Sequence, residues 1–298
     1  MKRIHRLVAL VGIGVCVNIA GLDVHAQPAT PACDLSAPSL VQAQCLLRPG
    51  LASGEALPAV IAGLLGHTPD GPVAVSAGLP MDVPEAALRA VLAKRRIALP
   101  DIGGELVLGL SMNSAGEPAR YFVIHDTSYP VYSARQSFPH HIDDPHWNQE
   151  QMRRLVVQDR KRDYGAHLYI DRRGQVRASF PLEVARLSTK TERLQPELVG
   201  LFIAVECLQP RGRDARGLDT RTPAPAFTTA QLDTLALAYI VASYRARRWL
   251  IPAFHAGVDA GYPGAHDDPR GFSLALWSAR LAQWLRSLQP SAKVPVNS

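Results

Sequence analysis

The 298-residue chain has only four cysteines, and no two of them form a Cys-x-x-Cys pair. That argues against a thiolate zinc site. After residue 22 no apolar run is long enough to cross a membrane, which argues against a spanning protein. No stretch interleaves arginines with aromatics, so a nucleic-acid surface is not expected. Internal repeats and low-complexity tracts are also missing. What remains is an ordinary globular balance, 47% hydrophobic and 19% charged.

The one long apolar stretch stands at the start. Lys2, Arg3 and Arg6 form a basic head, Leu7 to Leu22 is almost unbroken apolar sequence, and "VHAQ" presents small residues for cleavage after Ala26. This pattern predicts a removable export signal over 1–26 and a periplasmic or secreted mature protein. Cys16 lies in "GIGVC", a poor match to a lipid-attachment box, so no lipid anchor is expected. The formal charge is +6. Lys2, Arg3 and Arg6 against Asp23 account for +2 of it, which leaves +4 for the mature chain. Solubility explains such a mild excess, although it also suits an anionic wall polymer. In an oxidising compartment Cys33 and Cys45 are the expected disulfide pair, with Cys207 left as a buried thiol.

Residues 27–100, rich in Ala, Pro, Leu and Gly, read as a small helical extension. In it "DVPEAALRAVLAKRR" predicts a helix with Asp82 as N-cap, Pro84 in the first turn and a basic end. From 101 to 290 the pattern changes. "ELVLGLSM" and "RYFVIH" read as strands around a turn, and "HWNQEQMRRLVVQDRKR" as an exposed helix. "AHLYID" and "QVRASF" read as a hairpin, and "LVGLFIAVE" as a strand buried on both faces. A helix capped by Thr228 or Thr229 follows, with Leu232, Leu235, Ala236, Tyr239 and Ile240 on one face. "WLIPAFH" is a further strand. The last helix sets Trp277, Leu281, Trp284, Leu285 and Leu288 in one stripe, ahead of a tail over 291–298. The expected class is α/β (α+β): a central mixed sheet flanked by helices.

Two of these apolar strands end on histidine, His125 and His255, and "HDDPRGF" follows the second. Two imidazoles and one carboxylate, Asp267 or Asp268, make the donor set of a catalytic zinc site that leaves one position open for water. Either histidine alone reads equally well as a core residue satisfied by backbone. "HHIDDPHW" (140–147) reads as a polar groove wall, His167 as structural, and Trp277 and Trp284 as core.

The ordered set "FVIHDTS", "GAHLYIDRRGQV", "GLFIAVE", "FTTAQLDTLALAYI", "FH" and "DDPRGF" resembles the type 2 N-acetylmuramoyl-L-alanine amidases, the zinc amidase family that includes the peptidoglycan recognition proteins. The resemblance covers residues 105 to 288. It implies a zinc site at the strand ends held by His125, His255 and Asp268, with Glu206 managing the proton of the catalytic water. His266 stands where the family often has a lysine that binds the oxyanion. The implied activity is hydrolysis of the amide between N-acetylmuramic acid and L-alanine, with peptidoglycan or a muropeptide as substrate. The alternative is a wall-binding module on the same scaffold that has lost hydrolysis. Three departures stand out: Arg270 replaces the glycine of "DPG", "ARLST" replaces "A-W-H-x-G", and "FHAG" lacks the glycine before the histidine.

Overall fold

Alternating apolar runs and turn residues give the chain a five-stranded sheet with helices on both faces. The structure, a computed structural model, describes residues 31–36, 40–68, 71–72, 81–215 and 219–288. The export signal and the C-terminal tail lie outside the described residues. In chain order the helices are α1 (Leu40–Leu47), α2 (Ala59–Leu64), α3 (Glu85–Lys94), α4 (Pro145–Asp159), α5 (Lys190–Leu194), α6 (Thr229–Ala246), α7 (His255–Val258) and α8 (Leu274–Leu288). The strands are β1 (His67–Thr68), β2 (Gly71–Pro72), β3 (Tyr121–Asp126), β4 (Val131–Tyr132), β5 (Leu168–Ile170), β6 (Val176–Ala178), β7 (Phe202–Cys207), β8 (Arg211–Arg213), β9 (Asp219–Arg221) and β10 (Ile251–Phe254).

The main sheet has the order β10-β3-β7-β5-β6. β10, β3, β7 and β5 run parallel and β6 returns antiparallel, so the sheet is mixed. β7 is central and apolar on both faces, as its sequence predicts. One face, carrying Phe122, Ile124, Val205 and Cys207, packs into the main core with α6 and α8. Phe122 meets Tyr239 edge to face at 5.3 Å, and Tyr239 meets Trp277 at 5.5 Å. Trp277 and Leu281 are buried, as the stripe predicts. The opposite face is covered partly by α4, whose Met152 packs with Tyr169 and Ala204.

The N-terminal helices share the main core: Ala43, Leu46, Leu47, Ile61, Leu88 and Leu92 are all buried in it. The Cys33–Cys45 disulfide ties residues before α1 to that helix, and Cys207 is a free, buried cysteine. α1 lies so close to α7 that a Cβ on Gly257 would sit 2.1 Å from the Leu46 carbonyl oxygen. The extension is therefore pressed against the element that carries His255.

Three local expectations are corrected. α3 has Pro84, not Asp82, as its N-cap: Pro84 is extended (ψ 131°) and makes no side-chain cap bond, so Glu85 opens the helix. "ELVLGLSM" is not a strand. Leu106 and Leu110 are buried while Val107 and Leu108 are exposed. The carbonyls of Leu108 and Gly109 turn to a side chain, accepting from the Arg245 guanidinium, and only the end of the segment pairs with backbone, through an isolated bridge of Met112 to Pro118. α4 is only partly exposed, since Trp147, Asn148, Gln151 and Met152 are buried. By contrast, the α6 start agrees with its sequence. Thr228 forms a capping box with Gln231, satisfying two backbone N–H groups reciprocally.

Candidate functional site

Parallel strands bring their C-terminal ends to one side of a sheet, and side chains at those ends converge there. His125 pairs in register with Glu206, and Glu206 with Tyr169, so three adjacent strands place a histidine, a glutamate and a tyrosine in one row on one face. Alternation sends Cys207 to the opposite face, into the core. β3 runs one residue past His125, to Asp126. β10 ends at Phe254, and His255 opens α7 beside it. Both histidines are buried.

The two imidazoles face each other, with His125 Nδ1 and His255 Nδ1 3.0 Å apart. Asp268 joins them. Its Oδ1 lies 2.9 Å from His255 Nδ1 and its Oδ2 lies 3.5 Å from His125 Nδ1. Among the described residues His125, His255 and Asp268 form a buried group, with ligand atoms all within 4.8 Å of one another, that can hold a metal ion. The choice between the neighbouring aspartates is resolved by burial. Asp268 is buried, whereas Asp267 is exposed and paired with Arg270 at 2.8 Å.

The electrostatics favour positive charge at this point. Burial works against a charged His255, but Asp268 and Asp259 outweigh it and lift its pKa to about 10. Burial would raise Asp268, yet the facing histidines hold it below the usual carboxylate range. His125 is pushed down by burial and by the charge of His255. A cation between these groups satisfies the same field that otherwise retains a proton on His255. Two buried polar atoms without a hydrogen-bond partner also line the region, His125 Nε2 and Glu206 Oε2. Two imidazoles and one carboxylate thus make a donor set that can hold a metal ion. Burial, reinforced by Asp268 and Asp126, raises Glu206 well above an ordinary glutamate.

Carboxylates that the sequence alone did not single out support this group. Asp259 Oδ2 lies 2.9 Å from His255 Nε2, fixing the outer nitrogen of that ring. Asp259 is itself held by the backbone N–H groups of Lys190 (3.1 Å) and Thr191 (2.9 Å), at the start of α5. Asp126 is paired with Arg211 at 2.6 Å, with both side chains fully buried. It also accepts a hydrogen bond from the Arg270 backbone at 2.8 Å, and its own N–H donates to Asp268 Oδ2 at 3.3 Å. Asp126 thus clamps the loop that delivers Asp268. Tyr169 completes the row beside Glu206, and its hydroxyl donates to Asp159 at 2.6 Å. The four-residue spacing of His255 and Asp259, one turn of helix, was the signal for that contact.

His266 stands at the rim. It is exposed, its ring stacks on His255 at 4.4 Å, and its Nδ1 lies 3.7 Å from Asp268 Oδ1. A groove of about 380 Å³ opens here, lined by His255, His266, Tyr164, Thr189, Lys190 and Arg193. The segment "ARLST" therefore leads into α5, which walls this groove. His140, His141 and His146 of the second cluster are exposed, while Trp147 is buried and Asp143 pairs with Arg172 at 2.7 Å. His167 is fully buried, with both ring nitrogens bonded to backbone. Compared with protein-family models, with curated proteins and with solved structures, the chain matches none.

Proposed function

We propose that the chain is an exported zinc hydrolase, an N-acetylmuramoyl-L-alanine amidase acting on peptidoglycan or its fragments. The observation that carries this reading is the buried His125–His255–Asp268 group with the partnerless Glu206 carboxylate in register beside it. The ordered motifs over residues 105 to 288 supply the substrate class, and the Cys33–Cys45 disulfide supports export. All three ligand positions and the acid-base position are filled, which favours hydrolysis over a binding-only module.

Zinc held by His125, His255 and Asp268 would supply a Lewis acid to a water and to the scissile carbonyl. Asp259 keeps the proton of His255 on Nε2, leaving Nδ1 as the ligand atom. Glu206 takes a proton from the attacking water and delivers it to the departing L-alanine nitrogen. Its raised pKa makes it able to hold that proton between the two events. His266 donates a hydrogen bond to the carbonyl oxygen as negative charge develops there. The groove beside His266 receives the peptide. The test is mass analysis of products from purified peptidoglycan. Release of stem peptide with L-alanine newly at its N-terminus supports the reading, and cleavage at a glycosidic or internal peptide bond overturns it.

A further inference from the structure

A second concave site lies elsewhere, and half of its lining residues are cations. The end of α3 and the β5–β6 hairpin line a cleft of about 330 Å³ with Lys94, Arg95, Arg96, Arg173 and Arg177, against one carboxylate, Asp101. It shares no lining residue with the groove beside His266. Asp101 is already engaged, 2.7 Å from Arg177. Arg95 is paired with Asp233 at 2.7 Å and lies over the Trp284 ring at 5.8 Å. Lys94 and Arg96 have no ion-pair partner among the described residues, and both are exposed.

The hairpin side of the cleft is held in shape by α6. Gly174 at the hairpin tip (φ 76°) approaches the first turn of α6 so closely that a Cβ would sit 2.6 Å from the Ala230 carbonyl oxygen. The Thr234 hydroxyl donates to the Gly174 carbonyl at 2.8 Å. Arg173 is thereby set beside Thr229 and Ala230, in an adjoining cleft of about 570 Å³ that Arg95 also lines. The N-terminus of the 18-residue α6 adds the positive end of its dipole to the same region.

Asp101 and Asp233 offset two of the five cations, and among the described residues the Arg173 guanidinium donates only to the Asp143 carbonyl, at 3.4 Å. Lys94, Arg96 and Arg173 thus leave an excess of positive charge that an anion can offset. Guanidinium forks match the oxygens of a phosphate in paired hydrogen bonds, and several cations together match a group bearing more than one negative charge. We propose that this cleft binds a multiply charged phosphate group, a phosphomonoester or pyrophosphate, carried on a soluble ligand or a lipid headgroup. The site stands independently of the amidase reading.

The test is calorimetric titration of the full mature protein with inorganic pyrophosphate, beside co-sedimentation with vesicles containing phosphatidate. The variant is Arg96→Asn with Arg173→Ala. Asparagine suits position 96 because the backbone there is left-handed (φ 55°). A second variant, Lys94→Ala with Arg173→Ala, leaves that backbone untouched. Saturable pyrophosphate binding that weakens by about tenfold or more in either variant supports a soluble ligand. Vesicle binding alone, lost in the variants, supports a lipid-borne phosphate. Absence of both, or binding that matches in wild type and variants, overturns the proposal.

Discussion

His125, in β3, and His167, just before β5, are both hidden, 3% and 0% exposed, yet their nitrogens meet opposite surroundings. His167 is a satisfied core histidine. Its Nδ1 accepts from the Ala204 N–H at 3.1 Å and its Nε2 lies 2.9 Å from the Val184 carbonyl oxygen. His125 has no partner on Nε2, and its Nδ1 confronts another imidazole and a carboxylate. The difference follows from place along the strands. His167 stands before β5 begins, among backbone groups that need partners. His125 stands at the C-terminal end of β3, where neighbouring strands deliver their own polar residues. Burial alone does not mark a functional histidine; unmet hydrogen-bonding capacity beside other ligands does.

The contrast is sharpened most by separating the proposed acid-base residue from the proposed ligands. Glu206→Ala removes the carboxylate assigned to proton transfer while leaving His125, His255 and Asp268 intact. Hydrolysis should fall by about two orders of magnitude or more, with zinc retained. Release of stem peptide and metal analysis on the same preparation check this. Wild-type turnover would make Glu206 structural.

A smaller effect is expected one contact out. Asp259→Asn replaces the carboxylate on His255 Nε2 and should weaken zinc affinity by about 10- to 100-fold, read by competition with a chelating dye. His266→Ala should slow turnover less than Glu206→Ala does, because the metal shares the oxyanion charge.

The effect at His167 leaves the metal site untouched and concerns stability. Burial, aided by the charges of Arg186 and Arg245, lowers its pKa to about 4. Below about pH 6.5 the unfolded chain takes up a proton at this position that the folded chain refuses down to about pH 4. The neutral histidine's contribution is thus full above pH 6.5 and is lost as pH falls through that window, by roughly 3 kcal/mol. His167→Asn should flatten the stability profile between those pH values without altering zinc content. Denaturant unfolding at several pH values measures it.

The strands β3, β7 and β10 were legible because their apolar runs are bounded by turn residues, and the α6 start because two threonines precede its apolar stripe, although only the capping box with Gln231 picks Thr228 over Thr229. His125 and His255 were legible because each closes an apolar run, but with 130 positions between them no local spacing joins them, and Asp268 was set apart from Asp267 only by the ordered motifs. Asp126 and Arg211 were not legible, because a buried ion pair across 85 positions leaves no local pattern. The supposed strand "ELVLGLSM" failed for a similar reason. The partner of its Leu108 and Gly109 carbonyls is Arg245, far along the chain, and apolar content alone did not reveal it.

The central claim is that the buried His125–His255–Asp268 group holds a metal. Metal content by mass spectrometry, after equilibrium dialysis against trace zinc, tests it in wild type, His125→Ala and His167→Asn. About one zinc per chain is expected in wild type and in His167→Asn, with almost none in His125→Ala. Equal zinc in all three folded proteins, or none in wild type, would contradict the account.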